Sequence, residues 1–310
     1  MIEAVAQVEG MKDHLPLECP RADVGIVYHP DSQELFGFND ETVRYNADLC
    51  GVYRTLWSNG IAADIVTPSM DWSGYRLLFL PNVALLDEQA QERIKQTLTE
   101  SRQTRLVAEG SFGLYTAGGQ SSYGPPEGLV ECLGVRVADF SAVTQYDINQ
   151  GRNQLETPYG TVDIATPCGY AVLEPQGDSR AIARLGQETL GVCSADGRFI
   201  WYGLTLSAGF GDVGNPTVVL GLAAEAGVEA PVGVTGDRVV PVVRRSRLGG
   251  WLVFIFNLER RTAQVNIHPR WQTQQAEDLL AGQKIAVRDG GFDLRIDPWG
   301  VAVMHCIERF

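Results

Sequence analysis

Between residues 22 and 110 the chain alternates short, almost continuously apolar runs with longer amphipathic segments, and this alternation restricts the folds it can adopt. The apolar runs are ADVGIVYH, IAADIVTP, GYRLLFLPN and TRLVAEG, and the amphipathic segments are residues 39–60 and 87–101. Near-continuous apolar runs are typical of strands that are buried on both faces of a parallel sheet. We therefore predict an α/β domain in which helices cover a parallel sheet.

The remainder of the chain has a different pattern of predicted elements. Residues 117–180 combine a loop rich in glycine, serine and proline with short strand-like pieces, which predicts an antiparallel excursion before a strand returns at residues 197–206. After Pro231 only short β runs follow, which predicts an antiparallel sandwich of about 75 residues. The predicted domains are residues 1–20 (an amphipathic helix over 2–14 and a linker), 21–232 (the α/β domain) and 233–310 (the sandwich).

Charge and composition exclude several classes of function. The formal net charge of −13 repels a phosphate backbone, so we expect no nucleic-acid partner. No apolar run approaches the roughly 20 residues of a membrane span, and the N-terminus resembles no secretory signal. The six cysteines include no CxxC pair and the four histidines are scattered, so we expect no metal or cofactor, buried free thiols and a cytoplasmic location.

Several stretches in order resemble a known enzyme family. They are ADVGIVYHPDSQ, then GIAADIVTPSMDWSGYRLLFLPNVALLDEQA, TRLVAEGSFGLY, WLVFIFNLERRTAQVNI and finally DPWGVAVM. This order is similar to the C-terminal half of the glycoside hydrolase family 42 β-galactosidases. There a trimerisation domain with a flavodoxin-like, class I glutamine-amidotransferase-like fold follows a catalytic barrel, and a small β-sandwich comes last. The resemblance implies that fold class here, with helices on both faces of a parallel sheet.

The same resemblance implies an assembly role without catalysis. A catalytic barrel needs about 250 residues, which this chain has no room for, so no catalytic carboxylate of the family is assigned to any position. The expected partners are further copies of the chain, as a homotrimer, or a catalytic barrel domain. Two alternatives stay open: an amidotransferase-like hydrolase that uses Ser111, and a carbohydrate-binding module.

Ser111 lies in a sharp turn after a predicted strand, where a nucleophile can be held, but Glu109 stands where a GxSxG elbow requires glycine. Polar side chains also follow the first strand, and parallel sheets bind ligands at the carboxyl ends of their strands. The sequence therefore predicts one ligand crevice from these two loops, lined by Tyr28, His29, Asp31, Ser32, Glu109 and Ser111.

Aromatic and apolar side chains give two further expectations. Among the tryptophans, Trp72 and Trp271 are expected to be exposed, whereas Trp201, Trp251 and Trp299 are expected in the core. The segment 45–57 is apolar on more than one helical face, so part of it is expected to contact a neighbouring subunit or the barrel.

Overall fold

The computed structural model describes residues 11–38, 42–116, 118–206 and 216–308. These residues separate into two units. The N-terminal unit consists of Ala22–Leu56 and Ala63–Val228, whereas the C-terminal unit runs from Glu229 onward and includes Trp57–Ala62 and the described residues through Arg21.

The N-terminal unit is built around one mixed sheet. Its strands are β1 (Val24–Val27), β2 (Ala63–Val66), β3 (Leu77–Pro81), β4 (Arg105–Glu109), β5 (Val135–Val143), β6 (Gln154–Thr157), β7 (Gly160–Asp163), β8 (Cys168–Pro175), β9 (Arg180–Leu185), β10 (Glu188–Cys193) and β11 (Phe199–Tyr202). Its helices are α1 (Pro30–Phe38), α2 (Thr42–Ser58), α3 (Glu88–Glu100), α4 (Glu127–Leu133), α5 (Gln145–Asn149) and α6 (Pro216–Glu225). In the part of the chain that the structure describes, nine of these strands form one sheet in the order β2-β1-β3-β4-β11-β10-β9-β6-β7, and β5 pairs with β8 in a two-stranded ribbon.

The predicted fold class is wrong. The described residues are mostly β, with 40% in the strands of several sheets and 21% in helices, and they do not form a helix-rich flavodoxin-like parallel sheet. Only β2, β1, β3, β4 and β11 run parallel, and β10, β9, β6 and β7 extend the sheet in antiparallel fashion. The physical reason lies in residues 154–202, where tight turns at Gly160, Gly186 and Gly197, all with positive φ, pair β6 with β7, β9 with β10 and β10 with β11.

One amphipathic helix shows how the core of this unit is assembled. The side chain of Asp87 accepts a hydrogen bond from the Ala90 N–H and caps α3. Ala90, Ile94 and Leu98 follow at intervals of four residues, so they share one buried face. That face packs in a cluster with alternate side chains of the parallel strands, namely Leu78, Leu80, Leu106, Ala108, Phe199 and Trp201.

The C-terminal unit contains two antiparallel sheets. Its strands are β12 (Val232–Gly236), β13 (Val240–Arg245), β14 (Trp251–Phe256), β15 (Ala263–Pro269), β16 (Thr273–Asp278), β17 (Gln283–Ile285), β18 (Phe292–Ile296) and β19 (Val301–Glu308). They form the sheets β12-β15-β18 and β13-β14-β19-β16-β17, whose inner side chains share a single apolar cluster.

The N-terminal segment is described only from Met11 onward. Most of the helix predicted over residues 2–14 therefore lies outside the described residues, and Lys12–His14 form a single 3₁₀ turn. His14 Nδ1 lies 2.9 Å from the Ser246 hydroxyl, and Glu18 bridges to Arg245, so this segment is attached to the C-terminal unit.

Candidate functional site

The predicted crevice lies where three parallel strands of the N-terminal unit end. β3 pairs with β1 on one side and with β4 on the other, so the turns that follow these strands meet at one edge of the sheet. Four of the six predicted residues, Tyr28, His29, Asp31 and Ser32, follow β1, whereas Glu109 ends β4 and Ser111 comes directly after it. Ligands commonly bind at such an edge.

His29 caps α1. Its Nδ1 accepts a hydrogen bond from the Ser32 N–H at 3.1 Å and lies 3.2 Å from the Ser32 hydroxyl. Pro30 then occupies the first helical position, where a missing N–H costs nothing. The sequence prediction treated residues 28–38 as a loop and missed this helix, because histidine is not among the preferred capping residues.

The other ring nitrogen of His29 faces the cap of α3. Nε2 lies 3.8 Å from an Asp87 carboxylate oxygen, and the His29 side chain is almost fully buried. Burial lowers the pKa of His29, while Asp87 and Asp31 oppose this effect by raising it. The pKa of His29 is lowered overall, so its imidazole is neutral at pH 7. Nδ1 is then the acceptor, and Nε2 carries the proton and faces Asp87.

Ser32, His29 and Asp87 therefore lie in the order of a catalytic triad, but their contacts are structural. Ser32 is completely buried, and its hydroxyl already accepts a hydrogen bond from the Leu85 N–H at 3.0 Å. A nucleophile must reach a substrate, whereas this hydroxyl joins α1 to the loop after β3. Tyr45 also fixes His29, since its hydroxyl accepts a hydrogen bond from the His29 N–H and donates one to the His29 C=O.

Asn82 is the residue at the centre of this edge, and the sequence prediction did not single it out. It is buried, has a left-handed backbone conformation with φ of 47°, and donates a hydrogen bond from its amide to the buried Asp48 carboxylate. Its amide oxygen accepts the Ser111 N–H at 3.0 Å, and its own N–H donates to the Glu109 carbonyl at 3.0 Å. Asn82 therefore joins α2, β3 and the turn after β4.

Gly110 is required by the same arrangement. Its φ is 66°, and a Cβ placed on it would overlap the Asn82 amide oxygen and lie 3.2 Å from the Thr205 hydroxyl. Glycine at this position thus lets the Asn82 side chain cross the turn that contains Ser111.

The remaining predicted residues differ in their surroundings. Tyr28 is half-buried and donates a hydrogen bond to Gln33 at 2.5 Å, whereas Asp31 is exposed in the first turn of α1. Glu109 is buried, and it contributes, after burial and Tyr159, to raising the pKa of Tyr202. Ser111 is half-buried and is held through its backbone. A ligand-binding role for these residues stays a prediction.

The tryptophan prediction is wrong at three positions. Trp72 is only 1% exposed, and its ring N–H donates to the Thr67 carbonyl, whereas Trp299 is 65% exposed with φ of 56°. Trp271, also predicted to be exposed, is half-buried against the apolar cluster of the C-terminal unit and stacks on Trp251 with ring centroids 5.1 Å apart. Trp201 is buried as predicted. The short apolar run around Trp299 predicts a core strand, but the residue lies in the turn before β19.

The cysteine expectation is also corrected. The six cysteines are free, but Cys19, Cys50 and Cys132 are exposed. On α2, the side chains of Tyr45, Val52 and Leu56 are completely buried within the chain, whereas Tyr53 is 39% exposed. Contact of part of this segment with a neighbouring subunit or the barrel stays a prediction.

Two classes of structure are absent from the described residues. No described helix has the length and apolar content needed to cross a lipid bilayer. The described residues also contain no group of three or more histidine, cysteine, aspartate or glutamate side chains arranged to hold a metal ion.

Comparison with known proteins relates part of the N-terminal unit to a known family. Residues 22–165 match the family described as the β-galactosidase trimerisation domain. This part of the chain is similar to that family. The trimerisation domain is an oligomerisation region of a glycoside hydrolase, which agrees with the predicted assembly role. The predicted likeness to glutamine amidotransferases finds no support in these comparisons.

Curated relatives of the trimerisation domain are named β-galactosidases. GalA of Bacillus licheniformis is 30% identical over 166 residues, which cover 50% of this chain and 24% of the relative. BbgII of Bifidobacterium bifidum is 25% identical over 309 residues, which cover 92% of this chain and 40% of the relative. The chain thus spans less than half the length of these relatives.

Solved structures show the same fold beyond the trimerisation domain. A catalytic mutant of Gan42B, a GH42 β-galactosidase from G. stearothermophilus, superimposes with a TM-score of 0.75 at 19% identity. The match covers 94% of this chain and 41% of the other chain. The described residues therefore share the fold of part of that chain.

Proposed function

We propose that this chain is the assembly region of a β-galactosidase-like glycoside hydrolase, and that it holds three copies of the protein together. The match of residues 22–165 to the trimerisation domain is the observation that carries the proposal. Relatives named β-galactosidase support a role in carbohydrate metabolism, with the chemistry in a catalytic domain outside these 310 residues. We propose the cytoplasm as its location.

The chemistry of the sheet edge supports a role without catalysis. Both nitrogens of His29 are engaged, with Ser32 and Asp87, so His29 is not available as a base for Ser111. The Ser32 hydroxyl is buried and bonded to the loop after β3. These contacts favour a stabilising role over the hydrolase alternative, in which a nucleophile, a base and an orienting group face a substrate.

A surface for self-association lies within the trimerisation domain. Tyr123 is 78% exposed and its ring contacts that of Phe140, which is 42% exposed, with centroids 6.3 Å apart. Tyr146 is 63% exposed. Tyrosine and phenylalanine are enriched at protein interfaces, and three exposed aromatic side chains within 24 residues favour contact with a second copy.

We further propose that the domains meet near residue 232, as the sequence indicates. The two units divide between Val228 and Glu229, which supports a boundary in this region. In this proposal residues 21–232 provide the contacts between copies, residues 233–310 form a separate accessory domain, and residues 1–20 connect the assembly region to the catalytic domain.

Substitution of the exposed aromatic pair tests the proposed interface. We expect Tyr123→Ser combined with Phe140→Ser to shift the chain from trimer to monomer in sedimentation velocity at micromolar concentration. Leu248→Ser is the matched control, because Leu248 is 61% exposed but belongs to the C-terminal unit. A double variant that stays as trimeric as the control would show that this aromatic pair is not part of the interface.

A separate assay tests the absence of chemistry. We expect the chain alone to hydrolyse no chromogenic β-galactoside above the buffer rate. Turnover that disappears when a carboxylate of this chain is replaced would contradict the assignment of catalysis to another domain.

A further inference from the structure

The outer face of the three-stranded sheet β12-β15-β18 in the C-terminal unit is uniformly polar. Its inner side chains alternate with the outer ones and enter the apolar cluster, as Val265, Ile267 and Phe292 do. The outer side chains at its centre are Thr235 on β12, Gln264 and Asn266 on β15, and Asp293 and Arg295 on β18, and His268 lies on the same face near the end of β15. A polar, solvated face is common in antiparallel sheets. The feature that distinguishes this face is the arrangement of its side chains across the strands.

The outer side chains form two rows across the strands. Thr235 lies opposite Asn266, which lies opposite Asp293, while Gln264 lies opposite Arg295 in the second row. Neighbouring strands are about 4.8 Å apart and alternate residues on one strand about 6.8 Å apart. The rows therefore place hydrogen-bonding groups at the spacing of the hydroxyls on one or two sugar rings.

The same residues border two adjoining cavities. The larger one, of about 550 Å³, is lined by both rows, and the smaller one, of about 310 Å³, by Asn266, Asp293, Lys284 and Arg288 among others. Asn266 and Asp293 belong to both, so we call the two cavities together the Asn266 groove. Gly291 also lines the smaller cavity, and a Cβ there would lie 2.7 Å from His268 Nδ1, so this position has no room for a side chain.

Hydrogen bonding in the centre of the Asn266 groove is incomplete. The amide nitrogen of Asn266 donates to an Asp293 carboxylate oxygen at 2.7 Å. The amide oxygen of Asn266 is inaccessible to solvent and has no hydrogen-bond partner among the described residues. A buried polar atom without a partner costs about 1–3 kcal/mol, so a ligand group that bonds it after a small rotation of the amide would gain that energy.

We propose that the Asn266 groove binds carbohydrate through its hydroxyl groups. Each sugar hydroxyl both donates and accepts, and the groove offers both kinds of partner side by side: Asp293 as an acceptor, Arg295 and Lys284 as donors, and the amides and Thr235 as either. The carboxylate of Asp293 accepts two neighbouring hydroxyls, and Arg295 donates to a third. A polyanion fits less well because Asp293 lies at the centre of the groove.

Saturation-transfer-difference NMR with lactose and the full chain tests this binding. The larger cavity is lined by no aromatic side chain, so contact is by hydrogen bonds and we expect a dissociation constant on the order of 1 mM. Asp293→Ala removes charge-assisted bonds and should weaken binding about tenfold. Arg295→Ala provides a second variant from the other row, in case Asp293→Ala alters the sheet.

A matched control and clear contrary results complete the test. Gln275→Ala replaces an exposed glutamine on β16, in the other sheet, and should leave lactose binding unchanged. Lack of a saturable signal up to about 50 mM lactose, or an equal signal from wild type and both groove variants, would overturn the proposal. Binding of sulfate in place of lactose would overturn it as well. The readout is independent of the oligomeric state, so its failure leaves the assembly proposal untouched.

Discussion

Replacement of Asn82 by alanine tests whether the edge of the N-terminal sheet is held together as described. The substitution removes the hydrogen bond to the Asp48 carboxylate and the one from the Ser111 N–H. Loss of a buried hydrogen bond to a charged group costs about 1.5–3 kcal/mol, and a neutral one about 1 kcal/mol. Alanine at a φ of 47° adds about 1 kcal/mol of backbone strain, because asparagine tolerates the left-handed region better.

Together these effects predict a loss of about 3–5 kcal/mol in the free energy of unfolding, a large fraction of the 5–15 kcal/mol typical of a domain. For a unit of this size the midpoint of thermal unfolding should fall by about 6–20 °C. Denaturant titration and differential scanning calorimetry of the purified chain measure both quantities.

Two control variants separate the contributions to this loss. Asn82→Gly removes the same hydrogen bonds without the strain, so it should be about 1 kcal/mol less destabilising than Asn82→Ala in this respect. Asn149→Ala removes an exposed amide that accepts only from Gln145 within α5, and it should change stability by less than about 0.5 kcal/mol. An Asn82→Ala variant within about 1 kcal/mol of wild type would refute the assignment of Asn82 as the residue that joins these elements.

Three further predictions concern the same edge. Gly110→Ala should destabilise the chain by at least about 2 kcal/mol more than Gly119→Ala in denaturant titration. Both glycines have positive φ, but a Cβ at Gly110 would overlap Asn82, whereas a Cβ at Gly119 would meet nothing within 4 Å. Equal losses of stability would contradict this. Because the pKa of His29 is lowered in the folded chain, the unfolded state binds a proton first as the pH falls. The free energy of unfolding should therefore have its highest value above about pH 6.5 and decrease by up to about 1.4 kcal/mol per pH unit below it. The slope should be smaller in His29→Asn, and an unchanged slope would argue against a buried neutral His29. Ser111→Ala should leave the thermal midpoint within about 1 °C of wild type, since Ser111 bonds Asn82 through its backbone N–H. Mass spectrometry should find no fluorophosphonate on Ser111 in the wild type, and labelling there would revive the hydrolase alternative.

The strands and the long helix of the first hundred residues could be predicted because their signals are local. Each of the four apolar runs contains a strand, from Val24–Val27 to Arg105–Glu109, and the predicted helix 87–101 closely matches Glu88–Glu100. Burial on both faces and a capping aspartate are visible within a few residues of sequence.

The fold class could not be predicted because it depends on which edge the later strands join. The sequence predicts a separate antiparallel piece within residues 117–180, yet β6 and β7 from that segment, with β9 and β10 after it, extend the same sheet from β11. Short antiparallel strands with glycine turns carry no local signal for their partner, and pairing is decided by packing between distant residues.

The site was predicted only in part for the same reason. The sequence placed His29 and Ser32 at the correct edge, but it gave Asn82 no role, although Asn82 contacts both Asp48 and the Ser111 turn. Asp48 and Asn82 are 34 positions apart, and no motif connects them. The sequence does carry one weak signal at each of two strand ends: asparagine directly after Pro81, and glycine directly after Glu109. Both residue types are common in turns with positive φ.

Sedimentation equilibrium of the wild-type chain tests the central claim most directly. The chain has a mass of 33.8 kDa, so three copies have a mass of about 101 kDa. We expect the trimer mass at micromolar concentration in physiological salt, with dissociation only on dilution. A single species of 33.8 kDa that persists as the concentration is raised would contradict an assembly function for this chain.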